Sequence, residues 1–208
     1  MSNEVKTKEK VNMDPKYIAK LAVTLLVTCV VVAGLLGFVN KLTLPNITAA
    51  NEKKTAEAIQ KVLPELEGSP VAMELTEDMT AAASGAGATV TEAYEAQAGG
   101  STIGYALKIV ASGSQGNIEM MVGVDTEGAV TGVSIVKNSE TSGIGSKVMT
   151  NQPTAKGVGV LDQFAGKTAA DAPLNVGTNV DAISGATVSS KGVTTGVNAA
   201  LAVAGVIG

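Results

Sequence analysis

An apolar run near the N-terminus constrains this chain more than any other feature. From Leu21 to Val39 the sequence LAVTLLVTCVVVAGLLGFV runs nineteen residues without a charge. At about 1.5 Å per helical residue, such a run nearly matches a hydrocarbon core of roughly 30 Å. A cleaved signal peptide would have a shorter apolar region followed by small residues, whereas NKLTLPN follows here. The run therefore predicts one uncleaved transmembrane helix at residues 17–40.

The lysines that flank the apolar run predict its orientation. Five lysines precede it, at positions 6, 8, 10, 16 and 20, and the first three that follow it are at positions 41, 53 and 54. Positive charge near a span is enriched on the cytoplasmic side. We therefore expect a single-pass protein of the cell (inner) membrane, with a cytoplasmic tail at residues 1–16 and an extracytoplasmic C-terminal domain.

The composition excludes several kinds of catalytic site. The chain of 208 residues contains no His and no Arg, and Cys29 is its only cysteine. The absence of His excludes Ser-His-Asp and Cys-His catalysis, and one cysteine cannot form an intrachain disulfide or hold an iron–sulfur cluster. A net charge of −4 argues against a nucleic-acid partner. Redox chemistry would therefore require a cofactor that is held by other means.

The segment after the run predicts a connector. A helix is predicted from Thr48 to Val62, after a break at Pro45, because Pro removes a helical hydrogen bond. The stretch from Thr80 to Val90 is poor in large side chains, which favours a loop. Residues 41–95 are therefore assigned to a helical connector and loop region.

The remainder, residues 96–208, predicts a single α+β domain. Alternating apolar residues indicate strands from Ala93 onward, two of them joined by a turn at Asp125 to Gly128. A mixed helical stretch is expected from Leu161 to Ala170, and a longer helix from Ser189 to Ile207. The expected fold is a mainly antiparallel sheet with flanking helices.

A row of small residues precedes the last predicted helix, in the sequence DAISGATVSSKGV from Asp181 to Val193. One interpretation is that Ser184 or Thr187 caps the helix. The other is that the free N–H groups and the positive end of the helix bind a phosphate. In that case Gly185 and Ala186 would let a bulky ligand approach the backbone. The residues alone leave both interpretations open.

A second glycine-rich stretch is SETSGIGSK, from Ser139 to Lys147. It is either a plain turn or a site where backbone donors around Gly143 and Gly145 lie near the Lys147 ammonium group. The residues alone do not choose between the two.

These two motifs resemble the FMN-binding domains of RnfG and NqrC, which are subunits of the Rnf and Na⁺-translocating NADH:quinone oxidoreductase complexes. The sequence from Asp181 through Ser184, Gly185 and Ala186 to Thr187 is similar to that family's flavinylation motif. In the family a flavin transferase joins FMN, through its phosphate, to the Thr of the motif. The resemblance therefore implies a covalent FMN on Thr187.

The SETSGIG stretch is similar to the family's E-T-P-G-L-G segment, which borders the flavin. The resemblance implies flavin contacts for six residues, namely Glu140, Thr141, Gly143, Ile144, Gly145 and Lys147. Ser142 stands where the family usually has Pro, and Asn138 where it often has His. These departures affect the geometry expected of the loop, while the attachment motif is intact.

Within the family the chain is most similar to RnfG. The resemblance implies an electron-transfer subunit of an ion-translocating ferredoxin:NAD⁺ oxidoreductase, a translocase in which this chain is not an autonomous enzyme. Its partners would be the other subunits of the membrane complex and a flavin transferase during maturation. Two alternatives remain at this level. One is an anchored extracytoplasmic binding or assembly module without flavin, and the other is a stand-alone extracytoplasmic flavin reductase.

Overall fold

A computed structural model describes residues 15–207, which form an α+β fold. Most of the tail expected at residues 1–16 lies outside the described residues. The described residues divide into two units, one ending at Asn51 and the other beginning at Glu52. The helices and strands, in chain order, are α1 Pro15–Val62, β1 Val71–Met73, α2 Glu77–Gly85, β2 Thr89–Ala98, β3 Ser101–Ser112, β4 Asn117–Asp125, β5 Val130–Lys137, α3 Ser146–Met149 and α4 Thr187–Ile207.

Helix α1 carries the candidate membrane span. Its most apolar part has a mean hydropathy of 2.6 and is not buried by the rest of the protein. The break expected at Pro45 is wrong, because Pro45 lies inside a helix of 48 residues. A single Pro removes only one backbone donor. Nearby hydroxyl groups add hydrogen bonds to helix carbonyls, from Thr43 to Val39 at 2.9 Å and from Thr48 to Leu44 at 3.0 Å.

The sheet has five antiparallel strands in the order β1-β2-β3-β4-β5. The predicted turn between β4 and β5 is confirmed, and Asp125 Oδ1 accepts hydrogen bonds there from the N–H groups of Glu127 at 2.9 Å and Ala129 at 2.8 Å. The mixed helical stretch predicted from Leu161 to Ala170 contains the 3₁₀ turn Asp162–Phe164 and the start of a second one, Ala169–Asp171.

The loop predicted from Thr80 to Val90 is wrong. The stretch contains most of α2 and the start of β2. Small side chains led to that prediction, yet Ala has the highest helix propensity. Thr76 caps α2 by accepting a hydrogen bond from Met79 N at 3.2 Å, and Met79 and Ala83 are buried. The sheet thus begins at Val71, within the stretch that the sequence assigns to a connector.

Helices cover both faces of the sheet. On one face α2 and α4 pack against alternate strand residues such as Ile109 and Met120. On the other face the C-terminal end of α1, including Ile59, packs against Met121. Gly192 brings α4 close to the turn between β3 and β4, where a Cβ atom would lie 3.2 Å from Ile118 Cδ1. The beginning of α4 is therefore fixed beside that turn.

A polar cluster joins β2 to β3 on the sheet. Lys108 Nζ lies 2.7 Å from Glu92 Oε1, and the Tyr94 hydroxyl donates to Glu92 Oε2 at 2.6 Å. Burial raises the pKa of Glu92, but the hydrogen bonds from Lys108 and Tyr94 outweigh it and hold that pKa below its ordinary value. Burial and then the Glu92 carboxylate raise the pKa of Tyr94 to about 12.

Candidate functional site

A cavity of about 170 Å³ lies where three separate parts of the chain meet. The first part is the turn between β3 and β4, the second is the loop after β5, and the third is the start of α4. The residues that line the cavity are Ser114, Glu140, Thr141, Ile144, Gly145, Gly185, Ala186, Thr187, Val188 and Ser189. The two motifs, which are well separated in the sequence, therefore share one cavity.

The small residues before α4 form a tight turn into the helix. Ala186 N donates to Ile183 O at 2.9 Å, and both side chains are buried. Gly185 has a φ of 81°, a conformation that favours glycine. Ser184 and Thr187 are exposed on either side of this turn. The turn therefore presents the first residue of α4 to solvent at the cavity.

The first turn of α4 has free hydrogen-bond donors. Within residues 15–207 the N–H groups of Thr187, Val188 and Ser189 have no acceptor, and the first bonded amide is Ser190 N, which donates to Ala186 O at 2.9 Å. Neither the Ser184 nor the Thr187 hydroxyl makes a hydrogen bond within the described part of the chain. The helix-cap interpretation is therefore wrong for this structure, in contrast to the capped start of α2. Free N–H groups and the helix dipole favour an anion at this place.

The loop after β5 folds back on itself before α3. Thr141 O accepts hydrogen bonds from Ile144 N and Ser146 N, both at 3.2 Å, and Gly143 N donates to Ser146 Oγ at 2.8 Å. These bonds place Thr141, Ile144 and Gly145 in the cavity wall. Ile144 remains 52% exposed, and Val188 across the cavity is 56% exposed. The rim of the cavity is thus partly apolar.

Glu140 connects all three parts of the site. Its Oε1 accepts hydrogen bonds from Ser114 N at 2.7 Å and Gln115 N at 3.4 Å, both in the β3–β4 turn. Its Oε2 accepts a hydrogen bond from Ser189 Oγ on α4 at 2.7 Å. The carboxylate therefore fixes the β3–β4 turn and α4 to the loop that carries it.

Several residues predicted for the site lie outside the cavity wall. Asp181 forms an ion pair with Lys156 at 2.9 Å. Its backbone N–H donates a hydrogen bond to the side chain of Gln163, and its backbone carbonyl accepts one from the same side chain. Lys147 is half-buried in α3. Asp181, Lys147, Ser184 and Gly143 are therefore absent from the cavity lining. The other seven predicted site residues belong to it.

Ser114, Val188 and Ser189 line the cavity, although neither motif predicts them as site residues. Val188 and Ser189 directly follow the attachment motif. A helix that begins there would place both residues next to Thr187, and this is the signal in the sequence that could identify them. Ser114 lies in the sequence GSQG between two predicted strands. That sequence indicates a turn, but nothing in it indicates that the turn meets the second motif.

Comparison with known proteins gives a consistent set of similarities. A family model described as an FMN-binding domain matches residues 113–202, which include both motifs. The chain is similar to the G subunit of the Na⁺-translocating ferredoxin:NAD⁺ oxidoreductase complex of Acetobacterium woodii, with 34% identity over 96% of this chain and 97% of that protein. It is also similar to the G subunit of an ion-translocating oxidoreductase complex of Methanosarcina acetivorans, with 31% identity over 90% of this chain and 95% of that protein. A third relative is the G subunit of the proton-translocating ferredoxin:NAD⁺ oxidoreductase complex of Clostridium ljungdahlii, with 37% identity over 52% of this chain and 57% of that protein.

Proposed function

Because the chain belongs to the family of G subunits of ion-translocating oxidoreductase complexes, we propose that it is the FMN-carrying electron-transfer subunit of such a complex. FMN supplies transfer of one or two electrons, which no side chain of this site provides. The protein's task is to bind and orient the cofactor. The coupled reaction, ferredoxin oxidation with NAD⁺ reduction and ion transport, belongs to the whole complex, and its other subunits are the partners.

One observation carries this proposal: the attachment motif and the glycine-rich loop line the same cavity. If the first motif were only a helix cap and the second only a turn, neither would need to lie against the other. The cavity also fits a phosphate, because three N–H groups of α4 lack an acceptor within residues 15–207. We therefore place the phosphate end of FMN at the start of α4.

Thr187 is proposed as the covalent attachment residue. Its hydroxyl is exposed and makes no hydrogen bond within the described residues, so it is accessible to a transferase. The new bond from Thr187 Oγ1 to the FMN phosphorus replaces the bond between that phosphorus and the leaving group of an activated flavin donor, the base of the transferase takes the hydroxyl proton, and the net gain is FMN minus one water. A Thr hydroxyl is a weak nucleophile and the chain has no His to activate it. A flavin transferase must therefore supply both the base and the activated flavin.

The other predicted residues take different parts in this proposal. Ser184, Gly185 and Ala186 form the turn that presents Thr187, and the half-buried Asp181 is an element for recognition by the transferase. Glu140, Thr141, Ile144 and Gly145 border the flavin. Gly143 and Lys147 shape that loop, and Lys147 adds a positive charge beside it.

The size of the cavity limits how much of FMN it can enclose. Ligand pockets usually have volumes of about 300–1,000 Å³, and this cavity has about 170 Å³. Part of the FMN must therefore lie outside it. The exposed side chains of Ile144 and Val188 offer an apolar surface at the rim.

The lysine distribution supports an extracytoplasmic position for the unit that begins at Glu52. Covalent attachment would retain the cofactor there, where no cytoplasmic FMN pool can replace it.

The attachment is tested by co-expressing the full-length chain with a flavin transferase. Thr187→Val should abolish flavin fluorescence on a denaturing gel, and Thr187→Ser should retain part of it because the hydroxyl survives. Thr195→Val, on the same helix, is the matched control and should load normally. The intact mass of the wild-type protein should increase by FMN minus water, with the increment in the Ser184–Lys191 peptide.

Each alternative has its own outcome in this experiment. A fluorescent Thr187→Val band would contradict the attachment. A wild-type chain that never carries flavin would favour the binding or assembly module. In a separate purification from the membranes of the native cells, a loaded chain without polytopic membrane subunits would favour the stand-alone reductase.

A further inference from the structure

The Glu140 carboxylate is an anion that is held by neutral donors. Two backbone N–H groups of the β3–β4 turn and the Ser189 hydroxyl bind its oxygens. No ion pair within residues 15–207 includes it. Its charge is therefore oriented by hydrogen bonds and not by an ion pair.

The surrounding backbone leaves room for this carboxylate. A Cβ atom on Gly145 would overlap Glu140 Oε2 and would lie 2.8 Å from Ser189 Oγ. A Cβ atom on Gly113 would overlap Glu140 Oε1 and would lie 2.9 Å from Gly116 O. Gly145 has an ordinary helical φ of −63°, so space, and not conformation, requires glycine there. The position of the carboxylate is thus built by three segments of the chain.

We propose that Glu140 is a positioning residue with a second effect: it closes the cavity and places a fixed negative charge in its wall, which lowers the reduction potential of the flavin. The inference rests on the proposed function. Both oxygens of Glu140 are already bound by protein donors, so the residue acts through its position and its charge. A negative charge in the wall of the flavin's cavity disfavours the anionic reduced flavin, and a half-buried site screens that charge less than bulk water does.

The test uses full-length, FMN-loaded protein in detergent and compares two charge-neutralising variants. Glu140→Gln should load FMN and should shift the midpoint potential in the positive direction. Glu127→Gln removes an equal charge from the exposed β4–β5 turn, at the opposite end of β4, and should leave the potential unchanged. Exchange of the Ser114 amide should become about tenfold faster in Glu140→Gln, which corresponds to the loss of one hydrogen bond to a charged group.

The potential separates this proposal from a merely structural role. An unchanged potential in Glu140→Gln, with or without faster exchange, overturns the inference. If Glu140→Gln fails to load, Glu140→Asp decides, because it keeps the charge on a shorter side chain. A loaded Glu140→Asp protein with the wild-type potential and faster Ser114 exchange supports the inference, and an unloaded one, or one with a raised potential, overturns it. A wild-type chain without flavin would instead show that the proposed function has failed.

Discussion

Replacement of Gly145 by Ala tests whether Glu140 holds the site together. The new methyl group would overlap Glu140 Oε2 and would lie 2.9 Å from Glu140 Cβ, which cannot move without its backbone. Either the carboxylate leaves its donors or the loop shifts. A lost hydrogen bond to a charged group costs about 1.5–3 kcal/mol, and overpacking costs about 1–3 kcal/mol. We therefore expect the free energy of unfolding to fall by about 2–3 kcal/mol.

The assay is urea unfolding of the full-length protein in detergent, followed by circular dichroism. Gly143→Ala is the control from the same loop. Its φ of 78° imposes a strain of about 1–2 kcal/mol on Ala, but no atom lies within 4 Å of the added Cβ. Gly143→Ala should lower the free energy of unfolding by the same amount in the wild-type protein and in the Glu140→Ala background. The cost at Gly145 should fall by about 1 kcal/mol or more in the Glu140→Ala background, since contacting residues couple by roughly 0.5–3 kcal/mol. Equal costs of Gly145→Ala in both backgrounds would refute the argument.

Three further predictions concern other parts of the chain. The unfolding free energy should fall as pH rises from about 10 towards 12. The pKa of Tyr94 is about 10 in the unfolded chain, and burial and the Glu92 carboxylate raise it to about 12 in the folded protein. Tyr94→Phe should remove this dependence on pH. Asp181→Ala should impair flavin loading while Lys156→Met does not, because the transferase would recognise the carboxylate and not the ion pair; equal loading in both would exclude that role for Asp181. A biotin tag at Gly100, in the exposed β2–β3 turn, should be accessible in intact spheroplasts, and labelling only after lysis would reverse the proposed orientation.

Local features of this protein could be predicted well from its sequence. The apolar run, the strand pair with its Asp125 turn and the terminal helix each depend on periodicity or turn residues within a short window. The loop predicted at Thr80–Val90 is wrong, because the small size of these side chains does not oppose a helix and Ala has the highest helix propensity. The start of α4 was placed two residues late, at Ser189 instead of Thr187, which is within the usual uncertainty of helix ends.

The assembly of the site depends on register between distant segments, which spacing alone does not contain. In an antiparallel meander the β3–β4 turn and the end of β5 lie at the same end of the sheet. This brings Ser114 to Glu140, and the approach of α4 at Gly192 brings Ser189 to the same carboxylate. Asp181 belongs to the same motif as Thr187, but the turn at Gly185 directs the two apart. A motif thus predicts chemistry more reliably than it predicts which of its residues share a cavity.

The chemical nature of the cavity wall has an electrical consequence. Within residues 15–207 its lining consists of aliphatic, hydroxyl, carboxylate and glycine residues, with no aromatic ring and no sulfur atom. None of these groups can be oxidised or reduced in passing, so none can act as a stepping stone for charge. A flavin in this cavity would therefore find no redox-active side chain in the cavity wall to relay its electrons. The redox centre of a partner must then come close to the flavin itself, so the distance at which the two proteins dock would set the rate of electron transfer.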